Sequence, residues 1–475
     1  MISIIGKEPS NAQKTGEIRS MHNRLHNLTQ TEKQTWDITI IGGGATGLGV
    51  AVDAASRGYK TLLLEQSDFA KATSSRSTKL IHGGVRYLQQ GNISLVLESL
   101  HERGLLIKNA PHLVHHQSFI VPIYDWWEGP FYGIGLKVYD LLAGKLGLKP
   151  SRKLGKQETL EKLPTIETNG LRGGVMYYDG QFDDARLAIN LAQTAEHHGA
   201  TALNYCKVNA LSKSNGIIDG CSFQDALSGQ NFEAKSRIVV NATGIFTDSI
   251  MNMDNSEHEP IIAFSQGIHI VLDKSFLPGD TAIMVPSTDD GRVLFAVPWN
   301  ESIIVGTTDT PIKSAELEPK ALEDEIEFVL EHARRYLSKD PQRSDIRSVF
   351  TGIRPLVQSG EKGISTSAIS RDHYINVSQS GLLTIAGGKW TTYRKMAEDV
   401  VDKAMVLGGL PDQSCPTSGL KIHGFQETRP QPPFQSYGSD AEKIHTLIEQ
   451  QPELAESIHP ELPMLKAHVV WGVKT

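Results

Sequence analysis

The chain is poor in cysteine: Cys206, Cys221 and Cys415 are the only three in 475 residues. They are scattered, odd in number and never spaced C-x-x-C, which excludes a cysteine-based zinc site and fits a reducing compartment. Long apolar runs are missing too. No stretch of about 18 residues is free of charges and glycines, so no segment is expected to span a bilayer, while surface association stays open. Residues 1–35 lack the apolar core of a secretory signal. They are expected to form a flexible extension, in which Met21 to Leu28, with His22 and His26, is the one helical pattern. A basic stripe is absent, and 47 Lys and Arg against 54 Asp and Glu leave a net charge of −7. That argues against nucleic acid as a partner. No ligand cluster asks for a metal, because His115-His116 and His197-His198 are adjacent pairs that do not share a helix face.

What is present suits a globular protein, with 39% hydrophobic and 21% charged residues. The length suggests about three domains. The richest stretch runs from Trp36 to Gly84. Trp36 to Ile41 reads as a strand, Leu48 to Arg57 as a helix stopped by Gly58, and Tyr59 to Leu64 as a second strand ending at Glu65. Between strand and helix, Gly42, Gly44 and Gly47 satisfy G-x-G-x-x-G. The first glycine permits the tight turn, the second lets a pyrophosphate approach the backbone, and the third packs helix on sheet. Free N–H groups and the positive dipole end of the helix face the phosphates. Glu65 follows at roughly 20 residues, where an acid accepts hydrogen bonds from an adenosine ribose. Alone the glycine pattern is weak; with strand, helix, strand and acid in register it predicts dinucleotide binding.

Further along, Thr73 to Gly84 is dense in hydroxyls and ends in a glycine pair, as a loop laid along a cofactor would be. Ser94 to Ala110 is an amphipathic helix ended by Pro111, and Phe119 to Tyr124 a strand. Trp126-Trp127 and Phe131-Tyr132 precede an apolar, glycine-spaced stretch, Ile134 to Leu148. Such a stretch marks either a membrane interface or quinone channel, or plain core packing. Gly173 to Gly180 reads as a strand into a turn, and Asp183-Asp184 cap a helix from Ala185 to His198. Strands are expected over Thr201–Leu211, Ile217–Gln224 and Phe232–Val240, returning to Asn241-Ala242-Thr243-Gly244. Residues 261–349 read as an antiparallel sheet with a helix from Ala321 to Tyr336. Gly381 to Gly388 is a strand into a turn, and Lys389 to Leu407 is largely helix.

The order G-G-G-A-T-G, then T-S-S-R-S-T-K-L-I-H-G-G-V-R-Y-L, resembles the FAD-dependent glycerol-3-phosphate dehydrogenases, the quinone-linked aerobic type. Ordered blocks continue it: Tyr178 to Leu187, Asn241 to Gly244, Gln266 to Leu272, Val297 to Trp299, Gly306 to Thr310, Gly352 to Leu356, Ser370 to His373 and Gly387 to Arg394. The resemblance covers about residues 36–407. It implies oxidation of sn-glycerol 3-phosphate to dihydroxyacetone phosphate, with FAD taking the hydride and a membrane quinone the electrons. The implied FAD contacts are Gly42, Gly44, Gly47, Glu65, Ser74, Ser75, Thr78, Lys79, Leu80, His82, Ala242, Gly244, Gly388 and Thr391. Arg86, Tyr87, Arg354 and Arg371 match the family's substrate positions, where guanidinium forks suit a phosphate dianion. His269 matches the family's candidate base, an imidazole being suited to proton removal near neutral pH. Lys389 is expected to hold a substrate oxygen or to stabilise negative charge at the cofactor.

The implied fold class is α/β and α+β: a Rossmann-like FAD-binding domain of the D-amino-acid-oxidase-like, two-dinucleotide-binding-domain type, with an inserted antiparallel-sheet substrate domain. The expected boundaries are 36–110, 178–260 and 350–408 for the FAD part, and 111–177 and 261–349 for the cap. Residues 409–475 would begin a helical C-terminal domain, truncated here, since the family's E-M-A-R-T type motif is not among them. The chain also departs from the family at Ser265-Gln266-Gly267-Ile268-His269, where K-G-S-H is common. The implied location is cytoplasmic, on the inner face of the membrane, and a homodimer is left open. Three alternatives also stay open: an oxygen-using glycerol-3-phosphate oxidase, a silent FAD-binding protein, and an amine- or amino-acid-oxidising relative.

Overall fold

The computed structural model describes residues 22–84, 92–126, 128–286, 288–289, 291–358, 372–460 and 462–474. Two sheets organise it. The first has Thr35–Ile41 at its centre, flanked in parallel by Thr61–Leu64 and by Asn231–Asn241. Thr201–Leu203 and Leu383–Gly387 extend it, also in parallel, and His373–Val377 closes one edge antiparallel. The central strands are covered on both faces, which is why Ile38, Ile40, Leu62, Leu63 and Val240 form nearly continuous apolar runs, all buried. Over this sheet the helix Ala45–Ser56 packs against both Asp184–His197 and Tyr393–Leu407. Asp183 caps the second of them, its side chain accepting from the Arg186 N–H.

The second sheet has ten strands. Its longest members are Ile262–Asp273, Ser348–Val357, Val114–Ile123 and Gly173–Phe182, and a core of Ile268, Ile270, Leu272, Ile303 and Val329 sits beneath it. The sheet is antiparallel except at one seam, where Thr281–Val285 runs parallel to Val114–Ile123. Gly352 to Pro355, grouped above with the FAD part, lie on a strand that pairs along Ile262–Asp273.

Several local expectations are corrected. Gly173 to Gly180 does not turn at its end; the strand runs on to Phe182, because Gly180 and Gln181 pair with Ile81 and Leu80. Thr201–Leu211 is two strands, broken where Tyr205 takes φ +53°. The sequence around Met21–Leu28 is not frayed where described: His22–Thr31 is a helix, held by Arg24 on Asp225 at 2.6 Å and by buried Leu28. At the other end, the helices Asp440–Gln450 and Lys466–Lys474 close over Ile444, Leu447 and Trp471.

Candidate active site

The glycine turn is built by contacts that a side chain would destroy. Gly42 has φ +110°, and a Cβ there would lie 2.6 Å from the Ala242 carbonyl oxygen. At Gly47 it would lie 1.8 Å from the Gly42 carbonyl oxygen. Both glycines therefore serve the fold itself. Gly44 differs, for a Cβ there would meet only Ser74 Oγ, at 3.1 Å. It borders a cavity of about 350 Å³ with Gly42, Glu65, Ser74, Ala242 and Gly244. Glu65 Oε2 accepts from the Gly43 N–H at 2.6 Å and Oε1 from the Ser67 N–H at 2.8 Å. Burial pushes the Glu65 carboxyl up, against these two bonds. Ser74 Oγ accepts from the Ala45 N–H at 2.9 Å, at the start of the helix.

A second cavity, of about 180 Å³, lies across the strand Ser348–Val357. Thr78, His82, Asp179, Arg292, Thr308 and Arg354 line it, with an apolar wall of Phe119 and Phe295. Adjacent residues of a strand face opposite ways. Pro355 accordingly lines the first cavity and Arg354 the second. The Arg354 guanidinium donates to the Thr308 carbonyl at 3.1 Å and to Thr307 Oγ1 at 3.1 Å, with Asp309 Oδ1 3.6 Å away. Asp309 in turn bonds Ser265. Room for this fork comes from Gly267, where a Cβ would fall 2.5 Å from an Arg354 nitrogen.

His269 stands behind this wall. It is 2% exposed, its ring lies parallel to Phe350 with centroids 4.7 Å apart, and its Nε2 meets Thr78 Oγ1 at 2.9 Å. Gly306 makes space for the ring, since a Cβ there would sit 2.3 Å from His269 Cδ2. Burial, then the nearby charges of Arg354 and Lys79, pull its pKa down to about 3. The imidazole is neutral across the physiological range.

Of the residues singled out by sequence, Gly42, Gly44, Glu65, Ser74, Ala242 and Gly244 meet on the first cavity, and Thr78, Leu80, His82 and Arg354 on the second. Lys79 is not among the residues lining these two cavities; its ammonium is 2.5 Å from Asp184 Oδ1 and donates to the Ser75 carbonyl. Gly388 backs onto Met396, and its neighbour Gly387 borders the first cavity instead. Thr391 Oγ1 donates to the His82 carbonyl at 3.3 Å, and Lys389 Nζ to Ser99 Oγ at 3.2 Å. Arg86, Tyr87 and Arg371 lie outside the described residues. Sequence reasoning missed Asp179 and Arg292. Asp179 stood within a quoted block but read as leading into a turn, and no motif around Arg292 marked it.

A glycine turn on the parallel core of one sheet, set beside a largely antiparallel sheet whose strand Ser348–Val357 puts Pro355 on the first cavity and Arg354 on the second, defines a dinucleotide-binding oxidoreductase with its own substrate layer. Residues 37–394 match the FAD dependent oxidoreductase family. The chain is 41% identical over 483 residues to the mitochondrial glycerol-3-phosphate dehydrogenase of Rattus norvegicus, covering 94% of this chain and 66% of that protein. It is 43% identical over 437 residues to the mitochondrial glycerol-3-phosphate dehydrogenase of Arabidopsis thaliana, covering 89% and 67%. The structure of the Bacillus halodurans glycerol-3-phosphate dehydrogenase complexed with FAD superposes with a TM-score of 0.72 at 30% identity, covering 92% of this chain and 76% of that one. The chain belongs to the FAD-dependent oxidoreductase family, among its glycerol-3-phosphate dehydrogenases. It spans about two thirds of the length of the two mitochondrial relatives. FAD fits the residues present: the open side of Gly44 gives a pyrophosphate its backbone approach, and Glu65 sits on the same wall.

Proposed function

We propose that the chain oxidises sn-glycerol 3-phosphate to dihydroxyacetone phosphate and passes the electrons to a quinone at a membrane surface. The observation that carries this reading is the Arg354 fork, braced by Thr307 and Thr308 on a cavity that Arg292 also lines. Two guanidinium groups suit a phosphate dianion, because their parallel N–H donors match its oxygens. Bracing by Thr307 and Thr308 keeps the Arg354 fork in one orientation, so little freedom is lost when the anion binds.

Bound FAD supplies the two-electron acceptor for the hydride of C2. The chain's own residues bind the anion and take the hydroxyl proton. We assign the proton to His82, whose residue lines the cavity, rather than to His269. A ring with a pKa of about 3 is a poor proton acceptor at neutral pH, and its Nε2 is already engaged by Thr78. His269 instead orients the Thr78 hydroxyl. Lys389 keeps its proposed role at a substrate oxygen or at charge on the cofactor, and Arg86, Tyr87 and Arg371 keep theirs at the substrate anion.

The helix Glu128–Ala143 supports the membrane part of the reading. Leu136 and Tyr139 face inward, whereas Phe131, Ile134, Val138 and Leu141 are exposed at spacings of three and four residues. An apolar helical row of this kind, beside Lys137 and Lys153, suits a lipid interface. A groove of about 490 Å³ runs along it, bordered by Ile134, Val138, Leu141 and Val175, and is apolar enough for a quinone. Among the described residues no helix is long and apolar enough to cross a membrane. The reading is tested by adding sn-glycerol 3-phosphate to the oxygen-free holoenzyme, then a quinone or oxygen, and following the flavin spectrum.

A further inference from the structure

We propose that Tyr139 and Asp179 are positioning residues, which fix the segment Ile81–Gly84 and through it hold His82 against the substrate cavity. This rests on the reading of that cavity given above. The trio Arg103, Tyr139 and Asp179 comes from three elements: the helices Ile93–Asn109 and Glu128–Ala143 and the strand Gly173–Phe182. All three side chains are buried. The Gly83 N–H donates to the Tyr139 hydroxyl at 2.8 Å. That hydroxyl donates to Asp179 Oδ2 at 2.8 Å, and Arg103 donates to Asp179 Oδ1 at 2.6 Å.

Gly83 is shaped for this contact. A Cβ there would fall 2.6 Å from the Tyr139 hydroxyl and 2.5 Å from Leu100 Cδ2, so only glycine lets the tyrosine reach the backbone. His82 is thus bracketed. Its own carbonyl accepts from Thr391 Oγ1, and the next N–H is bound to Tyr139. The strand before it, Leu80–Ile81, is two residues long and, among the described residues, pairs only with Gly180 and Gln181. So short a strand leaves the position of the segment after it to whatever grips it beyond.

A stability role alone accounts poorly for the trio. A buried ion pair costs desolvation, and well-packed apolar residues of the same volume often do as well or better. Burial pushes the Asp179 carboxyl up while Arg103 and Tyr139 oppose this by bonding to its ionised form. Asp140 on the Tyr139 helix, His116 on the strand Val114–Ile123 and Tyr177 beside Asp179 also face the trio, and Lys149 and Tyr178 line a small cavity with Arg103 and Tyr139. What the arrangement provides is a fixed Gly83 N–H one residue from the proposed base. Errors of about 1 Å at such a site cost on the order of 10²-fold in rate.

The test compares wild-type holoenzyme with Tyr139→Phe and Asp179→Asn, each close to isosteric and read separately. Flavin content, kcat, KM for sn-glycerol 3-phosphate and the pH profile of kcat are measured. The His82 imidazole signal in ¹³C-histidine-labelled protein is assigned by its loss in His82→Asn. Flavin content is expected to hold and kcat to fall about 10- to 100-fold. KM should change far less, the kcat pH midpoint should shift, and the His82 signal should move. Variants with wild-type kcat, pH midpoint and His82 signal, changed only in melting temperature, would overturn the proposal. If the wild-type protein does not oxidise glycerol 3-phosphate, the functional reading fails; the position of the His82 signal in the variants still decides the positioning claim.

Discussion

Arg354 and Pro355 are consecutive residues of one strand, yet they line different cavities, the proline the cofactor side and the arginine the substrate side. The period of two along a strand thereby brings a phosphate-binding group next to the cofactor wall with a single peptide bond between them. Gly267, on the neighbouring strand, leaves the space that the guanidinium fills.

From this follows a prediction at a residue that touches no substrate. Gly267→Ala should displace the Arg354 fork, and both it and Arg354→Lys should lower kcat/KM for glycerol 3-phosphate by about 10²-fold, the size of one or two lost charge-assisted bonds. Flavin content should be unchanged. Steady-state kinetics on the flavin-loaded variants checks this.

At the glycine turn the two positions should part. Gly42→Ala opposes both φ +110° and the Ala242 carbonyl, so it should fail to fold or melt early. Gly44→Ala meets only Ser74 Oγ in the protein and should fold, yet bind FAD weakly, because its methyl occupies the approach for pyrophosphate. Flavin-to-protein ratios with far-ultraviolet circular dichroism distinguish the two.

His82→Asn should lower kcat by about 10²- to 10⁴-fold, the range for loss of a general base. His269→Asn should cost less in kcat, since it loses a neutral partner of Thr78 and not the proton acceptor. Pre-steady-state reduction of the flavin by substrate measures each directly.

The parallel core of the first sheet was legible because its signals are local. Strand, glycine turn, helix and second strand lie within 30 residues, and each glycine has a steric reason visible in the pattern. The second sheet was less so. Gly173–Phe182 was cut short at Asp179-Gly180, which reads as a turn but is held extended by Ile81 and Leu80, about 100 residues earlier. The same long-range pairing brings Asp179 to the substrate cavity, so both errors have one cause. Lys79, in a hydroxyl-rich loop, is expected to contact the cofactor, and its ammonium also pairs with Asp184. Its partner Asp184 lies more than 100 residues away, beyond what sequence spacing reveals.

Acidification should weaken the fold through its buried histidines. Burial draws the pKa values of His112, His115 and His468 down to about 4, and that of His269 to about 3, from 6.5. Between pH 6.5 and about 4 the unfolded chain therefore binds protons that the folded chain does not, so these groups make stability rise with pH and fall as pH drops. Urea unfolding at pH 7 and pH 5 measures the slope. Substituting His112 by Asn should flatten it, whatever that variant does to stability at pH 7.

On the outer face of the helix Glu128–Ala143, Leu141 is 80% exposed and Ile134 68%. Ile134→Glu with Leu141→Glu should release the protein from vesicles and slow electron delivery to a membrane quinone. Reduction of the flavin by substrate should be unaffected, since neither residue lines the substrate cavity. Vesicle flotation and quinone-linked turnover check the two halves.

The measurement that bears most directly on the account is the absorbance of the oxygen-free holoenzyme during addition of sn-glycerol 3-phosphate. The oxidised-flavin bands should bleach with that substrate, stay unchanged with glycerol or an amino acid, and return on adding a quinone. Bands that persist with glycerol 3-phosphate, or that bleach with an amino acid in its place, would contradict it.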